Sequence, residues 1–180
     1  MVFGRLFVRD NFSMIPLDAT DLRLLDLLQT DASVSNQELA GLAHTSPATA
    51  LRRVRRLVEE GVIEKRVALL SPLTLGEGLT ALVEITLDRQ GAEHLEAFEA
   101  RAVNDAAVQQ VYRVSPGPDF VLVVYAADMA GYHALVQRLF TQDANVRNVK
   151  AFFAVRRAKF DPRIALPPPA VSARRRVTRP

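Results

Sequence analysis

The sequence contains no cysteine and no tryptophan, and no apolar run in it is long enough to cross a membrane. Without cysteine the chain has no disulfide, no thiolate for zinc or iron–sulfur clusters, and no thiol nucleophile. A membrane span needs about 18 consecutive apolar residues. The opening stretch MVFGRLFVRDNF has no small-residue cleavage site, so we expect no secretory signal. Together these absences favour a soluble, intracellular protein.

The basic residues are unevenly distributed along the chain. Of the 180 residues, 49% are hydrophobic and 24% are charged, which is typical of a folded globular protein. The formal net charge is +3, but residues 161–180 hold five arginines and one aspartate, so the rest of the chain is slightly acidic. Nucleic-acid binding can therefore be argued only from local clusters of basic residues.

Three short helices are predicted between Asp18 and Gly61. Asp18 is the expected N-cap of LDATDLRLLDLLQ, in which leucines recur at helical spacing, and Ser35 begins a capping box in SNQELAGLA. The third helix, SPATALRRVRRLVEEG, has Ser46 as its N-cap, proline at its first position and Gly61 at its end. This order of helices, with a tight turn before the third, is typical of a helix-turn-helix.

The third helix carries four arginines, in a segment (18–66) with seven basic and eight acidic residues. Leu51, Val54 and Val58, with Leu57 beside them, are expected to pack on the other two helices. Such a helix enters the major groove, where the guanidinium group binds guanine edges and phosphates. The residues that we expect to reach DNA are Ser46, Ala48, Thr49, Arg52, Arg53, Arg55 and Arg56. A solvated helix face is the alternative for the arginines alone, but the caps and the turn favour DNA binding.

We predict that these DNA-contacting residues divide their work. Arg55 and Arg56 are assigned to phosphates, whereas Thr49, Arg52 and Arg53 help to select the sequence.

After Gly61, VIEKRVALL predicts a short hairpin or wing, which completes a winged helix-turn-helix over residues 17–68. SPLTLGEG then predicts a linker over residues 69–78.

The pattern changes to strand periodicity at residue 79. LTALVEITL alternates apolar residues, and the segments that follow predict the order β-α-β-β-α-β over residues 79–160. The sequence therefore predicts an α+β protein, an N-terminal winged helix-turn-helix joined to a C-terminal ferredoxin-like βαββαβ domain. Helices cover only one face of such a sheet, so we expect a second copy of the domain to cover the other face in a homodimer.

The two ends of the chain match neither domain. Residues 1–16 are an extension, and Met14 is an alternative start. Residues 161–180, DPRIALPPPAVSARRRVTRP, have no periodicity and predict a disordered basic tail. This tail is either an additional DNA-contacting arm or a solubilising extension; composition favours the extension, because basic tails are common.

The helix-turn-helix containing SNQELA and SPATALRRVRRLVEEGVI, followed by LVEITL and the βαββαβ domain, resembles the Lrp/AsnC transcriptional regulators over about residues 17–160. The resemblance implies a prokaryotic, cytoplasmic and nucleoid-associated regulator of amino-acid or related metabolism, with double-stranded DNA as its partner. It implies dimers formed through the C-terminal domain that assemble further, often to octamers. It also implies a small effector, usually an amino acid, bound at junctions between dimers. From the residues themselves we expect no cofactor and no metal.

Three positions depart from the family's pattern. His44 and Asn145 stand where the family usually has glycine, and both residue types tolerate a left-handed backbone better than most. The effector loop reads Ser-Pro-Gly-Pro-Asp and keeps only the carboxylate of Asp119, which the resemblance places near the effector's ammonium. Arg113 is expected to pair with an effector carboxylate or with a neighbouring acid, and Asp119 alternatively caps a turn. The effector residues implied by position are Arg113, Ser115, Gly117, Asp119, Met129, Phe152 and Ala154.

The sequence gives no support for catalysis. His44, His94 and His133 have no partners at metal-ligand spacing, and no phosphate-binding loop, dinucleotide fingerprint or nucleophile elbow occurs. Two alternatives to a regulator remain. One is a stand-alone ligand-binding and oligomerisation module, which the helix-turn-helix disfavours. The other is an enzyme that resembles the sirohaem decarboxylases, disfavoured because no histidine occurs between His94 and His133.

Overall fold

The computed structural model describes residues 15–76 and 78–167, which form two compact units. The first unit contains residues 15–68 together with 161–167, and the second unit contains the described residues of 69–160. Within these ranges no helix combines the length and the apolar character that a membrane crossing requires. The predictions for Met14 as a start and for residues 168–180 lie outside the described residues.

The first unit is built on three helices. They are α1 (Ala19–Thr30), α2 (Asn36–Leu42) and α3 (Pro47–Glu59). Each predicted N-cap forms, because a side-chain oxygen of Asp18, Ser35 or Ser46 accepts hydrogen bonds from amides of the first helical turn. The complete, reciprocal capping box lies at α1, where Asp21 bonds back to the Asp18 amide. The core of the unit contains Leu24, Leu39, Ala40, Ala43, Ala50 and Val54.

The buried face of α3 differs in part from the predicted one. Ala50, Val54 and Leu57 point into the unit, whereas Leu51 is 41% exposed and Val58 is 46% exposed. An α-helix turns by about 100° per residue, so positions 50, 54 and 57 share one face and positions 51 and 58 lie to one side of it. The prediction that Leu51 and Val58 are packed is therefore wrong; both border an open groove of this unit.

The segment after Gly61, predicted as a short hairpin or wing, does not form the strands of a hairpin. Gly61 ends α3 in a left-handed conformation with φ of 72°, but residues 64–71 form no strand. The segment VIEKRVALL contains no glycine, proline or asparagine, so it has no residue that favours the tight reversal a hairpin needs. A single helical turn, α4 (Pro72–Leu75), follows in the predicted linker.

The second unit confirms the predicted βαββαβ order. Its elements are β1 (Leu79–Leu87), α5 (Ala92–Asn104), β2 (Val108–Arg113), β3 (Phe120–Ala126), α6 (Met129–Leu135), continued by a π-helical segment (Val136–Thr141), and β4 (Val146–Phe153). The strands form an antiparallel sheet in the order β2-β3-β1-β4, which is the ferredoxin-like arrangement.

Helices cover one face of this sheet only. Ala81, Val83, Ile85 and Leu87 of β1 are buried under them, as the alternating pattern predicts. The residues between them point to the opposite face. We call that face the open face; it carries Leu82, Glu84, Val121, Val123, Lys150 and Phe152, which the strand register places side by side. Leu82 is 43% exposed and Phe152 is 45% exposed.

Candidate nucleic-acid interface and effector site

The turn between α2 and α3 depends on one left-handed residue. His44 has φ of 54°, and its amide donates to the carbonyl of Gly41 at 3.1 Å. The next amide, of Thr45, donates to the carbonyl of Ala40 at 2.9 Å. The side chain of Asn36 bonds the carbonyl of Pro47 at 2.9 Å and links the starts of α2 and α3. The expectation that histidine supports this turn in place of glycine is confirmed.

The N-terminal turn of α3 presents small polar groups outward. Ser46 and Ala48 are exposed, and Thr49 is half-buried. The Ser46 hydroxyl donates to Thr49 Oγ1 at 2.8 Å, and the Thr49 amide donates to Ser46 Oγ at 3.3 Å. These bonds fix the start of the helix, so the three side chains stand at defined positions on its outer surface.

The four arginines of α3 fall into two pairs. Arg52 and Arg55 are exposed, lie opposite the buried face, and form no ion pair with any described residue. Arg53 and Arg56 lie on the side that faces α1. Helical spacing alone puts residues 52 and 55 on the outer face and residues 53 and 56 on the flank beside it.

Arg53 and Arg56 pair with two acids at the start of α1. Arg53 Nη1 lies 2.6 Å from Asp18 Oδ2 and 2.9 Å from Asp21 Oδ1, and Arg56 Nη2 lies 2.7 Å from Asp21 Oδ2. Asp21 is only 1% exposed, so its charge needs both guanidinium partners. The Asp21 amide, together with Arg53, holds the pKa of Asp18 below its ordinary value. The sequence analysis identified Asp18 as an N-cap but missed Asp21 and the pairing of both acids with α3, although their spacing of three residues at a helix start matched a capping box.

The candidate effector residues lie in two groups at opposite ends of the sheet. Arg113, Ser115, Gly117 and Asp119 surround the loop between β2 and β3, whereas Met129, Phe152 and Ala154 lie where β3 and β4 end. The length of β3 separates Asp119 from Met129 by about 20 Å, because a strand rises by about 3.3 Å per residue. Phe152 is level with the middle of β3 and lies two strands away from it. The two groups therefore do not form one pocket within a single chain.

Asp119 connects its loop to the adjacent strand. Its Oδ2 accepts a hydrogen bond from the Leu87 amide at 2.7 Å, and its own amide donates to the Ile85 carbonyl at 2.8 Å. Its carbonyl accepts from the Val114 amide at 3.1 Å. The side chain of Asp119 thus bonds a neighbouring strand, whereas the turn cap given as the alternative to effector binding would bond amides of its own loop.

Arg113 and Asn145 also have partners within the chain. Arg113 Nη2 lies 2.6 Å from Glu99 Oε2 of α5, which matches the expectation of a neighbouring acid. Asn145 does not adopt the left-handed backbone expected of a glycine substitute; instead its carboxamide bonds the amide and the carbonyl of Arg89 at 2.9 Å and 3.1 Å. In the described part of the chain no group of histidine, aspartate and glutamate side chains is arranged to hold a metal ion.

Comparison with known proteins matches both units. A model described as winged helix-turn-helix DNA-binding matches residues 17–64, and the Lrp/AsnC ligand binding domain matches residues 80–164. The leucine-responsive regulatory protein of Rhizobium meliloti is 36% identical over 145 residues, which are 81% of this chain and 93% of that protein.

Solved structures agree with this match. An AsnC family transcriptional regulator from Agrobacterium tumefaciens has a TM-score of 0.76 at 30% identity, covering 83% of this chain and 97% of that one. A complex of a transcriptional regulator with L-Met from Neisseria meningitidis has a TM-score of 0.75 at 25% identity with the same coverage. Fold and site thus define a helix-turn-helix transcriptional regulator with a ligand-binding domain. The chain belongs to the Lrp/AsnC family.

Proposed function

We propose that this regulator binds duplex DNA through the outer face of α3, with Arg52 and Arg55 as its principal cationic contacts. The observation that carries this proposal is that the four arginines of α3 form two pairs with different surroundings. Asp18 and Asp21 occupy Arg53 and Arg56 from within the unit, whereas Arg52 and Arg55 face outward. Arg53 and Arg56 accordingly hold α3 against α1. We therefore no longer assign them direct contacts with DNA and assign these contacts to Arg52 and Arg55.

The roles of the remaining residues follow from their positions along α3. Residues near the N-terminus of a recognition helix reach base edges, whereas those further along meet the phosphate backbone. Ser46, Ala48, Thr49 and Arg52 lie at or near that N-terminus. We assign them to sequence selection and assign Arg55 to phosphate.

Fluorescence anisotropy tests the assignment on the DNA upstream of the protein's own gene and on a scrambled duplex, at two salt concentrations. We expect tight, salt-sensitive binding that favours the upstream fragment. Arg52→Ala should reduce this preference, whereas Arg55→Ala should weaken binding to both duplexes and lower the salt slope by about 1. Arg89→Ala, an exposed arginine of the second unit, is the matched control.

Two outcomes would redirect the proposal. Equal losses on both duplexes for Arg52→Ala and Arg55→Ala would contradict the division of labour. Failure of the full chain to bind either duplex would favour the stand-alone ligand-binding module.

We propose further that a small amino-acid-like effector binds between copies of the second unit. Two relatives support this class of ligand, one named as leucine-responsive and one solved with L-Met. The separation of the two candidate groups supports a shared site, because Asp119 of one copy and Met129 of the same copy lie about 20 Å apart. Residues of a second copy would therefore complete the effector site around either group.

Thermal shift with the twenty amino acids and common acidic metabolites at millimolar concentration tests the effector. We expect at least one of them to raise the melting temperature, since a ligand that binds only the native state stabilises it. The response should disappear in Met129→Ala. No stabilisation by any of these compounds would remove the effector from the proposal.

The assembly belongs to the same proposal. We infer a homodimer that closes the open face and associates further, up to an octamer, in the prokaryotic cytoplasm in association with the nucleoid. The apolar side chains of the open face support the dimer, because an exposed apolar patch of this kind marks an interaction surface.

A further inference from the structure

The open face carries one charge of each sign among its apolar side chains. Four of the six residues that define it are apolar, and the other two are Glu84 and Lys150. Glu84 lies near the middle of β1, with Val121 of β3 directly opposite on one side and Lys150 of β4 directly opposite on the other. The acid and the base are therefore adjacent to each other, in the central part of the face.

Neither of these two charges has a counter-charge within the chain. Glu84 and Lys150 form no ion pair and no side-chain hydrogen bond with any described residue. Opposite charges that face each other across neighbouring strands ordinarily attract. Lys150 Nζ lies instead over the ring of Phe152, 4.7 Å from its centroid. Glu84 is half-buried and Lys150 is exposed, so both side chains are available to groups outside their own unit.

Charges on the helical side of the same unit are arranged differently. Arg138 Nε lies 2.6 Å from Asp105 Oδ2, and Arg113 Nη2 lies 2.6 Å from Glu99 Oε2. The fold of one chain thus supplies counter-charges where the helices pack. On the open face it presents an acid and a base to whatever covers the sheet.

A second copy that covers the open face would remove water from both charges. A buried charge without a counter-charge is strongly unfavourable, so an interface of this kind requires a partner for each. In a twofold interface, a contact between residue 84 of one copy and residue 150 of the other occurs twice. Two packed sheets lie about 10 Å apart, a distance that a glutamate and a lysine side chain can span together. One acid and one base on each copy therefore suffice to pair all four charges.

We propose that Glu84 of each copy pairs with Lys150 of the other copy, and that these two reciprocal ion pairs determine which chains associate and in which orientation. The inference rests on the homodimer proposed above and names the residues that give it specificity. Apolar side chains favour burial in any orientation, whereas an ion pair forms in only one. A chain of the same fold that lacks this acid and this base would leave both charges buried and unpaired, so it would be excluded.

Charge reversal in the full chain tests the proposal, with the mass measured by light scattering coupled to size-exclusion chromatography over a series of protein concentrations. Glu84→Lys and Lys150→Glu each place like charges at both contacts, so each variant alone should dissociate, with a dissociation constant raised by at least about tenfold. The double variant, which exchanges the two charges, should recover the wild-type mass. Glu96→Lys makes the same reversal at an exposed position of α5 and is the matched control, which should leave the mass unchanged. Wild-type masses for both single variants would overturn the proposal.

A mixture of the two single variants separates pairing between copies from pairing within one copy. Glu84→Lys chains carry two lysines at this place and Lys150→Glu chains carry two glutamates, so a mixed dimer has opposite charges at both contacts. Native mass spectrometry should show mixed dimers well above the fraction expected from random association, which would also demonstrate that both variants fold. Recovery of the double variant without recovery of the mixture would show pairing within one chain and overturn the proposal.

These readouts distinguish the inference from the proposed dimer. Dissociation by Leu82→Asp, with no effect of either charge reversal, would overturn the ion pairs and leave the interface on the open face. A wild-type chain that is monomeric throughout the concentration series would overturn both the dimer and the ion pairs.

Discussion

Asp21 is the residue that divides the arginine row of α3. It is almost completely buried at the first turn of α1, and a buried carboxylate without partners is strongly unfavourable. Arg53 and Arg56 supply those partners. Helical spacing places Arg53 and Arg56 on the flank of α3, and an acid 32 and 35 residues earlier in the chain holds them there.

Replacing Arg53 should lower the stability of the fold and leave the preference between DNA sequences unchanged. Arg53→Ala removes hydrogen bonds to Asp18 and Asp21 and leaves the buried carboxylate of Asp21 with one guanidinium partner, so the free energy of unfolding should fall by about 1–3 kcal/mol. Arg52→Ala, on the outer face, should change it by less than about 0.5 kcal/mol. Urea denaturation followed by circular dichroism measures both values. Equal losses would show that the two arginines are equivalent.

The pKa of Asp18 gives the first unit an acid-sensitive contribution to stability. Because the pKa is lowered in the folded chain, the contribution is complete above the ordinary value of 3.8 and is lost as the pH falls through the lower folded value. The melting temperature should therefore fall from about pH 4 downward. Asp18→Asn should show a shallower fall in calorimetric scans. A variant curve parallel to that of the wild type would exclude this contribution.

At the scale of single residues, the sequence predicts which positions are charged better than it predicts which partner each side chain faces. The arginines, the caps and the left-handed His44 can be inferred locally, because each depends on neighbours within a helical turn. The pairing of Arg53 with Asp18 depends on how two helices meet, and that information is not local. Asp119 shows the same limit, because its partner is the amide of Leu87 on another strand.

At the scale of elements, the turn before α3 carries a conformational cost that glycine would relieve. A non-glycine residue at φ of 54° is less favourable than glycine by about 1 kcal/mol. His44→Gly should therefore raise the free energy of unfolding by about 0.5–1 kcal/mol, and His44→Val should lower it. Thr45→Gly is the control and should destabilise, since Thr45 has no positive φ. Destabilisation by His44→Gly would point to a packing role for the imidazole.

Elements with a clear period were predictable, and those without one were not. The alternation in LTALVEITL identified β1 and its buried face, because a half-buried strand must alternate. No period indicated the π-helical segment after α6. The only sign in the sequence that no hairpin forms after Gly61 is that the segment lacks a residue that favours a turn.

At the scale of the whole molecule, the open face should hold two copies together. Leu82 lies on the central strand β1 beside Phe152 of β4, so a carboxylate there would be buried without a partner in a dimer. Leu82→Asp should yield monomers in light scattering coupled to size-exclusion chromatography. Val103→Asp, an equally drastic change at an exposed position of α5, should leave the mass unchanged. Dimers of Leu82→Asp would place the interface elsewhere.

The length of β3, which keeps Asp119 apart from Met129, has a consequence for how the protein would report nutrient supply. If the effector site is shared between two copies of the chain, a regulator present in few copies cannot respond, whatever the concentration of metabolite. Its threshold would depend on abundance, because each binding event must also supply the free energy that unites the molecules. The number of copies in a cell would then set the metabolite concentration at which transcription changes.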